Sequence, residues 1–505
     1  MSEGLRDGLV VRAWSRRAVL AMDAARERID AVNVFPVADA DTGTNVLLTL
    51  RGGAEAVEGL PEGVDAGTAL AALARGVLLS ARGSSGMILS RYLGVLAGSV
   101  ASGAGLGSAL AAAASGARDA VQDPQEGTVL TLAVAVGEAA GDRAGSREPS
   151  GATGDADALA AGLAAGHAAL DPISAVHPVL RSARVVDAGS CALLVVLDAL
   201  ADVLAGRTGA PVLGWLPETD VAGTATGRID PSVVPPDAVR SSSGSPTGER
   251  ASVAPLTPAA AASWTPTGTR TGGAGAGRPA ADAPGPVPTA PGAVEVMAVV
   301  PDGTAASSDL GDRLAVLGDA VVVVAGTDDA GRPVRHAHVH TTQVDAVLDL
   351  LAASGASALR VHDLAGTRSG AVACTTRSSV VGPLARTGAV VLVLDPAGTA
   401  GLPGPAALAP LLGRAVHDAA GGTGPLPSVP SSVVAEVHRL LPLGGGARVE
   451  RPATGAALRV TALDDVPQAA SQQDTRQQET LSWSAPPQDA PPRTDDRPRT
   501  GEEPA

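Results

Sequence analysis

The stretch Asn33-Val-Phe-Pro-Val-Ala-Asp-Ala-Asp-Thr-Gly-Thr-Asn45 (NVFPVADADTGTN) carries the densest chemistry in the chain. It follows a run in which Leu5, Leu9, Ala13, Trp14, Val19 and Leu20 recur at helical spacing, and it opens another helical run. Asp39 and Asp41 are one residue apart. In an extended segment, residues two apart point the same way, so both carboxylates reach one point. Two hard oxygen ligands suit Mg²⁺, which takes a few carboxylates together with substrate phosphates. The amides of Gly43, Thr44 and Asn45 open the next helix, where free N–H groups and the dipole favour a phosphate. The same residues also make good helix caps, because Asp and Thr are favoured there.

Outward from this stretch, residues 1–207 are helical in pattern, with breaks at Gly52-Gly53, Pro61, Gly103, Asp123-Pro124, 145–154 and Asp171-Pro172. An all-α domain follows. Ala81–Ser90 (ARGSSGMILS) is a small-residue turn before an apolar helix. Its glycines let a ligand approach the backbone, and Ser84 and Ser85 can donate to phosphate oxygens. Gly127-Thr128 and Asp187-Ala188-Gly189-Ser190 open helices in the same style. Four such openings suit a nucleotide held at one end of a helical bundle.

The rest of the chain divides by composition. Residues 208–291 are expected to be a disordered linker, since their Pro, Gly, Ser, Thr and Ala bury too little to offset ordering. Residues 292–365 read β-α-β-β-α-β, the order of a split α+β unit. Residues 366–465 read as a further α/β region, and 466–505 as a polar, disordered tail. His336, His338 and His340 alternate along one strand and so share a face. They form either a polar sheet face or a residual zinc site centred on His338 and His340.

Hydrophobic residues make up 45% of the 505, but aromatics only 1%, so the cores must be built from Ala, Val and Leu. No lysine occurs, and 37 basic residues face 52 acidic ones for a net charge of −15. Such a chain is a poor nucleic-acid binder, because phosphate neutralisation supplies most non-specific affinity. Cys191 and Cys374 are too few for a disulfide framework and suit a reducing compartment. With no signal-like start and no uninterrupted apolar span, a cytoplasmic protein without a transmembrane segment is expected.

Together, NVFPVADADTGTN, ARGSSGMIL, EGTVLT and VVDAGSCALLVVLDAL resemble the signature stretches of the L-subunit (DhaL) domain of dihydroxyacetone kinase. The NVFPV prefix and the VVDAG suffix are similar to the bacterial fatty acid kinase A subunit, and RHAHVHTTQVDAVLDL to its middle domain. The resemblance implies an eight-helix barrel binding ATP through Mg²⁺, and phosphate transfer to a fatty acid presented by a separate carrier protein, giving an acyl phosphate. By position it implies Asp39 and Asp41 as metal ligands, with Asn33 at the upstream polar position. It also implies Thr42, Gly43, Thr44, Asn45, Ser84, Ser85, Gly127 and Thr128 around the phosphates and nucleotide, and Asp187 and Gly189 on the adenosine side. A homodimer is the family's habit. In the middle domain a first-strand Cys joins two histidines on zinc, and Met297 is read as standing in its place. Ala40 replaces a glycine of the usual Pro-Asp-Gly-Asp core, which is costly where φ is positive. Ser84 replaces the usual Asn. The competing readings are a nucleotide-binding scaffold and a kinase subunit for dihydroxyacetone.

Overall fold

The computed structural model describes residues 4–144, 152–218, 290, 292–328, 330–365, 368–398, 401–421, 427–443, 446–451 and 457–463. The bulk of the expected linker, 219–289, and the expected tail lie outside the described residues.

The N-terminal region is helical: α1 Gly8–Ala31, α2 Thr42–Glu58, α3 Ala66–Leu79, α4 Gly83–Ala101, α5 Leu106–Asp119, α6 Val129–Ala144, α7 Ala152–Val176, α8 Pro178–Ala183 and α9 Ala188–Leu204. Helix α1 starts where the Asp7 carboxylate accepts from the Leu9 amide (2.8 Å). It buries Val11, Trp14, Ala18, Met22, Ala25 and Ile29, a stripe at three- and four-residue spacing. The Trp14 indole N–H donates to the Val196 carbonyl (3.0 Å), so the largest core side chain leaves no donor unmade. Each long helix from α1 to α7 packs on the next in sequence, and α9 packs on both α7 and α1, closing the ring.

Small residues set the spacing. A Cβ on Gly76 would lie 2.4 Å from the Gly52 carbonyl oxygen, so α2 and α3 cross backbone to backbone. With few aromatics, stability comes from many buried Leu and Val side chains, each contributing roughly 1.5–3 kcal/mol.

Two sequence expectations are corrected here. Helix α7 runs through Pro172, where a break was expected. Pro172 is exposed, so the carbonyl it leaves without a partner can reach water. Residues at the start of the expected linker also pack: Leu216 is buried, and Arg28 donates to the Leu213 (2.9 Å) and Pro217 (2.8 Å) carbonyls. One described helical segment, Gly154–Val176, is long and apolar enough to cross a membrane, and it packs against α6 and α9.

The C-terminal region is built on one sheet of strands β1 Val294–Pro301, β2 Asp319–Thr327, β3 Pro333–Thr341, β4 Ala358–Asp363, β5 Ala371–Thr375, β6 Val390–Leu394, β7 Gly446–Glu450 and β8 Arg459–Ala462. Its order is β2-β3-β1-β4-β6-β5-β7-β8, with β5 and β6 parallel and the other pairs antiparallel. The sheet is continuous across residue 366, because β4 pairs with β6. That pairing covers an edge that would otherwise be exposed. Helices α10 Leu310–Ala315 and α11 Val344–Ala353 belong to the first four strands. Helices α12 Val381–Ala385, α13 Pro405–Ala419 and α14 Ser431–Leu440 follow, and α13 and α14 share a core with β5, β6 and β7. Cys374 lies in that core, where burial pushes its thiol up to about 12. It is a small hydrophobe rather than a nucleophile.

The sheet docks on the helical region at the β2 edge. Val323 donates to the Ala120 carbonyl (3.0 Å), and Gln122 donates to that of Val321 (3.2 Å). Leu78, Ala81, Met87 and Ala120 pack against Met297, Val322 and Val324. The face carrying Glu295, Met297 and the alternating histidines is thereby turned toward the openings of α2 and α4.

Candidate functional site

The Asp39–Asp41 stretch is held from both ends. The Asn33 amide donates to Asp39 Oδ1 (2.7 Å), and the Asn45 amide donates to Asp41 Oδ1 (2.8 Å). Asp41 stands at the start of α2 but makes no side-chain capping bond. Asp30, from the last turn of α1, does the capping: it accepts from the Thr44 amide (3.1 Å) and hydroxyl (2.7 Å). Two expectations change. The amide of Thr44 is already taken by a carboxylate, and that of Asn45 donates to the Asp41 carbonyl (2.7 Å), so these two do not stand open to a phosphate. Conversely, Asp39 and Asp41 are free of capping duty. The segment between them is also not extended, because Ala40 has φ +54°. A left-handed turn there brings the two carboxylates together, and a Cβ in that region costs roughly 1–2 kcal/mol.

The Asp39 and Asp41 carboxylates lie close enough to interact directly. Asp39 opens onto a cavity, yet the surrounding protein limits its solvation. That burial, and then the Glu295 charge, push its carboxyl up. Burial and then Asp39 push Asp41 well above the usual carboxylate range; Arg368 opposes this, and Glu295 and Asp30 add to it. Carboxylates crowded this closely share a proton or take a cation. The donor set, hard oxygens beside two positioned amides, fits Mg²⁺.

The other expected loops gather nearby. Thr42 Oγ1 lies 3.3 Å from Ser85 Oγ, and Ser84 is half-buried beside it. Gly83 has φ +57°, and a Cβ there would come within 2.7 Å of Asn45 Nδ2, so only glycine fits against the carboxylate loop. Val46, Ser85, Val129 and Gly189, from near the starts of α2, α4, α6 and α9, line one small apolar void of about 20 Å³. Thr128 is buried, and its hydroxyl donates to the Gln125 carbonyl (2.8 Å). Gly127, at φ +86°, lies against His177. Asp187 is a buried helix cap: it accepts from the Ser190 amide (2.7 Å) and hydroxyl (2.8 Å) at the start of α9. Its carboxylate therefore faces the wall, not an open adenosine surface.

Residues 36–202 match the family model of the DAK2 domain. The DAK2 family is that of the dihydroxyacetone kinase L-subunit, associated with phosphotransfer and nucleotide binding. The chain is also similar to protein YloV of Bacillus subtilis, 51% identical over 63 residues, which is 12% of this chain and 11% of that protein. Uncharacterized proteins of Staphylococcus saprophyticus and Staphylococcus aureus are 47% and 45% identical over 64 residues, again 12% of this chain and 11% of theirs. The aligned segments thus span about a tenth of each relative.

Beside the DAK2 domain, the sheet presents a second cluster. Glu295, His338 and His340 offer ligand atoms within 4.8 Å of one another, and all three are buried. The expectation that Met297 occupies the first-strand position is corrected. Met297 instead packs its sulfur on Arg360 Nη2 (2.9 Å), and Glu295, two residues earlier on the same face, stands opposite His340. His338 Nδ1 lies 2.9 Å from the Ala320 carbonyl, which fixes the proton there and leaves a lone pair on Nε2. That Nε2 has no hydrogen bond, although Glu295 Oε2 is 3.3 Å away. A lone pair facing a buried carboxylate is the arrangement a cation resolves, and the backbone carbonyl is the usual support for a ligating His. These residues fit zinc. His336 shares the face but lies outside the cluster, with its ring pushed down to about 3 by burial.

A cavity of about 580 Å³ lies between the DAK2 domain and the sheet, lined by Asp39, Ala40, Asp41 and Thr44 on one side. His362–Leu364, Arg368–Gly370 and Ala419–Gly421 line the other. Arg368 Nη2 lies 3.5 Å from Asp41 Oδ2, and Nη1 donates to the Asp418 carbonyl (3.2 Å). The Asp418 side chain is gripped by Arg82 Nε (2.6 Å) and Arg360 Nη1 (3.0 Å). Sequence reasoning missed Asp30, Glu295, Arg368 and Asp418. Asp30 was within reach as an acid one turn before Asn33, but the other three enter through sheet register and long-range contacts.

Proposed function

We propose that this chain is an ATP-dependent phosphotransferase that phosphorylates the carboxylate of a fatty acid presented by a separate carrier protein. The observation that carries this reading is the Asp39–Asp41 contact, two carboxylates released from capping and set at the mouth of a cavity. Asn33 and Asn45 each hold one carboxylate oxygen, orienting the others. Bound there, Mg²⁺ would neutralise the phosphate charge that develops during transfer. Ser84, Ser85 and Thr42 offer hydroxyls on the nucleotide side. The acceptor enters from the cavity side, so donor and acceptor meet in line. A new O–P bond forms at the fatty acid carboxylate as the bond to ADP breaks. The acceptor is already an anion, so no general base is needed.

The choice of a fatty acid rests on the NVFPV and VVDAG contexts and on the histidine-bearing sheet that follows the linker. Zinc held by Glu295, His338 and His340 would be structural, bracing the sheet against the Gly83 turn: a Cβ on Gly83 would lie 3.9 Å from Glu295 Oε2. A cytoplasmic location and a homodimer complete the reading. One specific observation favours the scaffold alternative: Asp30 already occupies the Thr44 amide, which would otherwise meet a phosphate.

The test is to incubate the full chain with Mg·ATP and a carrier loaded with fatty acid, trapping product with hydroxylamine. Hydroxamate that requires both ATP and carrier supports the proposal. Phosphorylated dihydroxyacetone in place of hydroxamate points to the polyol kinase, and the absence of any transfer points to the scaffold.

A further inference from the structure

We infer that Arg368, supplied by the β4–β5 connection rather than by the DAK2 domain, contacts the terminal phosphoryl group of the nucleotide and is a catalytic residue. The inference rests on the nucleotide reading above and adds to it a residue from outside the matched domain.

Three observations carry it. Arg368 is the Arg among the described residues lining a cavity whose other charged groups include Asp39, Asp41 and Asp363. A phosphate entering so acidic a space requires a protein cation as well as the metal.

The guanidinium is also placed but not used up. Nη1 is anchored on the Asp418 carbonyl at 3.2 Å, whereas Nη2 meets Asp41 only at 3.5 Å. Of its five N–H groups, the others are left for a ligand, and the planar fork matches two phosphate oxygens. The long contact to Asp41 is one that a phosphate on the same pair would replace.

The anchor is itself rigid. Asp418 is locked by Arg82, the residue immediately before the Gly83 turn, and by Arg360 of β4. Through Asp418 the arginine is thus tied to one loop of the proposed nucleotide site, the Gly83 turn, and it is aimed at another, the carboxylate loop. Approaching from the cavity side, it meets the phosphoryl group that faces the acceptor, where charge develops during transfer. The α- and β-phosphates would lie toward the DAK2 loops, out of its reach.

The experiment is calorimetry of the full-length protein with Mg·ADP and, separately, a non-hydrolysable Mg·ATP analogue, for wild type, Arg368→Gln and Arg368→Lys. Wild type is expected to bind the triphosphate at least tenfold more tightly than the diphosphate. Arg368→Gln is expected to abolish that preference while leaving Mg·ADP affinity within twofold. Arg368→Lys, which keeps the charge but not the fork, is expected to retain part of it and decides the matter should the Gln variant melt early. An unchanged preference in Arg368→Gln, an equal loss for both nucleotides, or no preference in wild type overturns the inference while leaving nucleotide binding standing. If folded wild type binds neither nucleotide, the underlying reading falls and takes this inference with it.

Discussion

Arg82 and Asp418 are separated by 336 positions in sequence and by 2.6 Å in space. Arg82 introduces the RGSSG turn of the DAK2 domain, and Asp418 ends α13 of the sheet region. Both side chains are less than a tenth exposed. This pair therefore carries the connection between the carboxylate loop and the region that walls its cavity.

Asp418→Asn would leave Arg82 and Arg360 as buried charges without their shared counter-charge. Breaking a buried pair in this way costs about 3–5 kcal/mol. Urea unfolding of the full chain should show a loss of that order, and a change within 0.5 kcal/mol would contradict the assignment.

The same pair has a pH signature. Burial works against the Asp418 charge, but Arg360, Arg82 and Arg368 outweigh it and hold the carboxyl below its usual value. A depressed carboxyl contributes stability above its unfolded pKa of about 3.9, and loses it as pH falls through the folded value. Acid unfolding monitored by circular dichroism should therefore begin below about pH 4 in wild type and show less of this dependence in Asp418→Asn.

Ala40→Gly tests the left-handed turn between the carboxylates. Relief of about 1–2 kcal/mol at φ +54° is partly offset by the greater freedom of glycine when unfolded. A net gain of roughly 0.5–1 kcal/mol in thermal unfolding is expected. A loss of stability would show that Ala40 is not held in that conformation.

Zinc content checks the second cluster. Protein purified with zinc available should retain about one ion per chain, and Glu295→Ala or His338→Ala should each lose it. Retention by both variants, measured by elemental analysis, would remove these residues as ligands.

Much of this molecule can be read locally. The i, i+3, i+4 stripes of α1 and the alternating run of β3 follow from periodicity alone, and the Asp-x-Asp stretch stands out by residue type and spacing as a candidate site. What escapes is what long-range geometry decides. Strand β7 is short, and its sequence, Gly-Ala-Arg-Val-Glu, has meaning only beside β5. Glu295 becomes a candidate ligand only once β1 is registered against β3, since Glu295 and Met297 share a face and sequence spacing does not choose between them. The cap that Asp30 provides to α2 depends on the path of the intervening loop, which no local pattern fixes.

The central claim is that Asp39 and Asp41 form a cation and nucleotide site rather than a structural cap. The most direct measurement is calorimetry of Mg·ATP on full-length wild type and on Asp39→Asn/Asp41→Asn, each paired with a thermal melt in the absence of metal. Because the substitutions remove a repulsive carboxylate pair, the variant is expected to melt no lower than wild type while losing Mg²⁺-dependent ATP binding by tenfold or more. A variant that melts several degrees lower yet binds Mg·ATP as well as wild type does would contradict the claim and leave the pair a purely structural role.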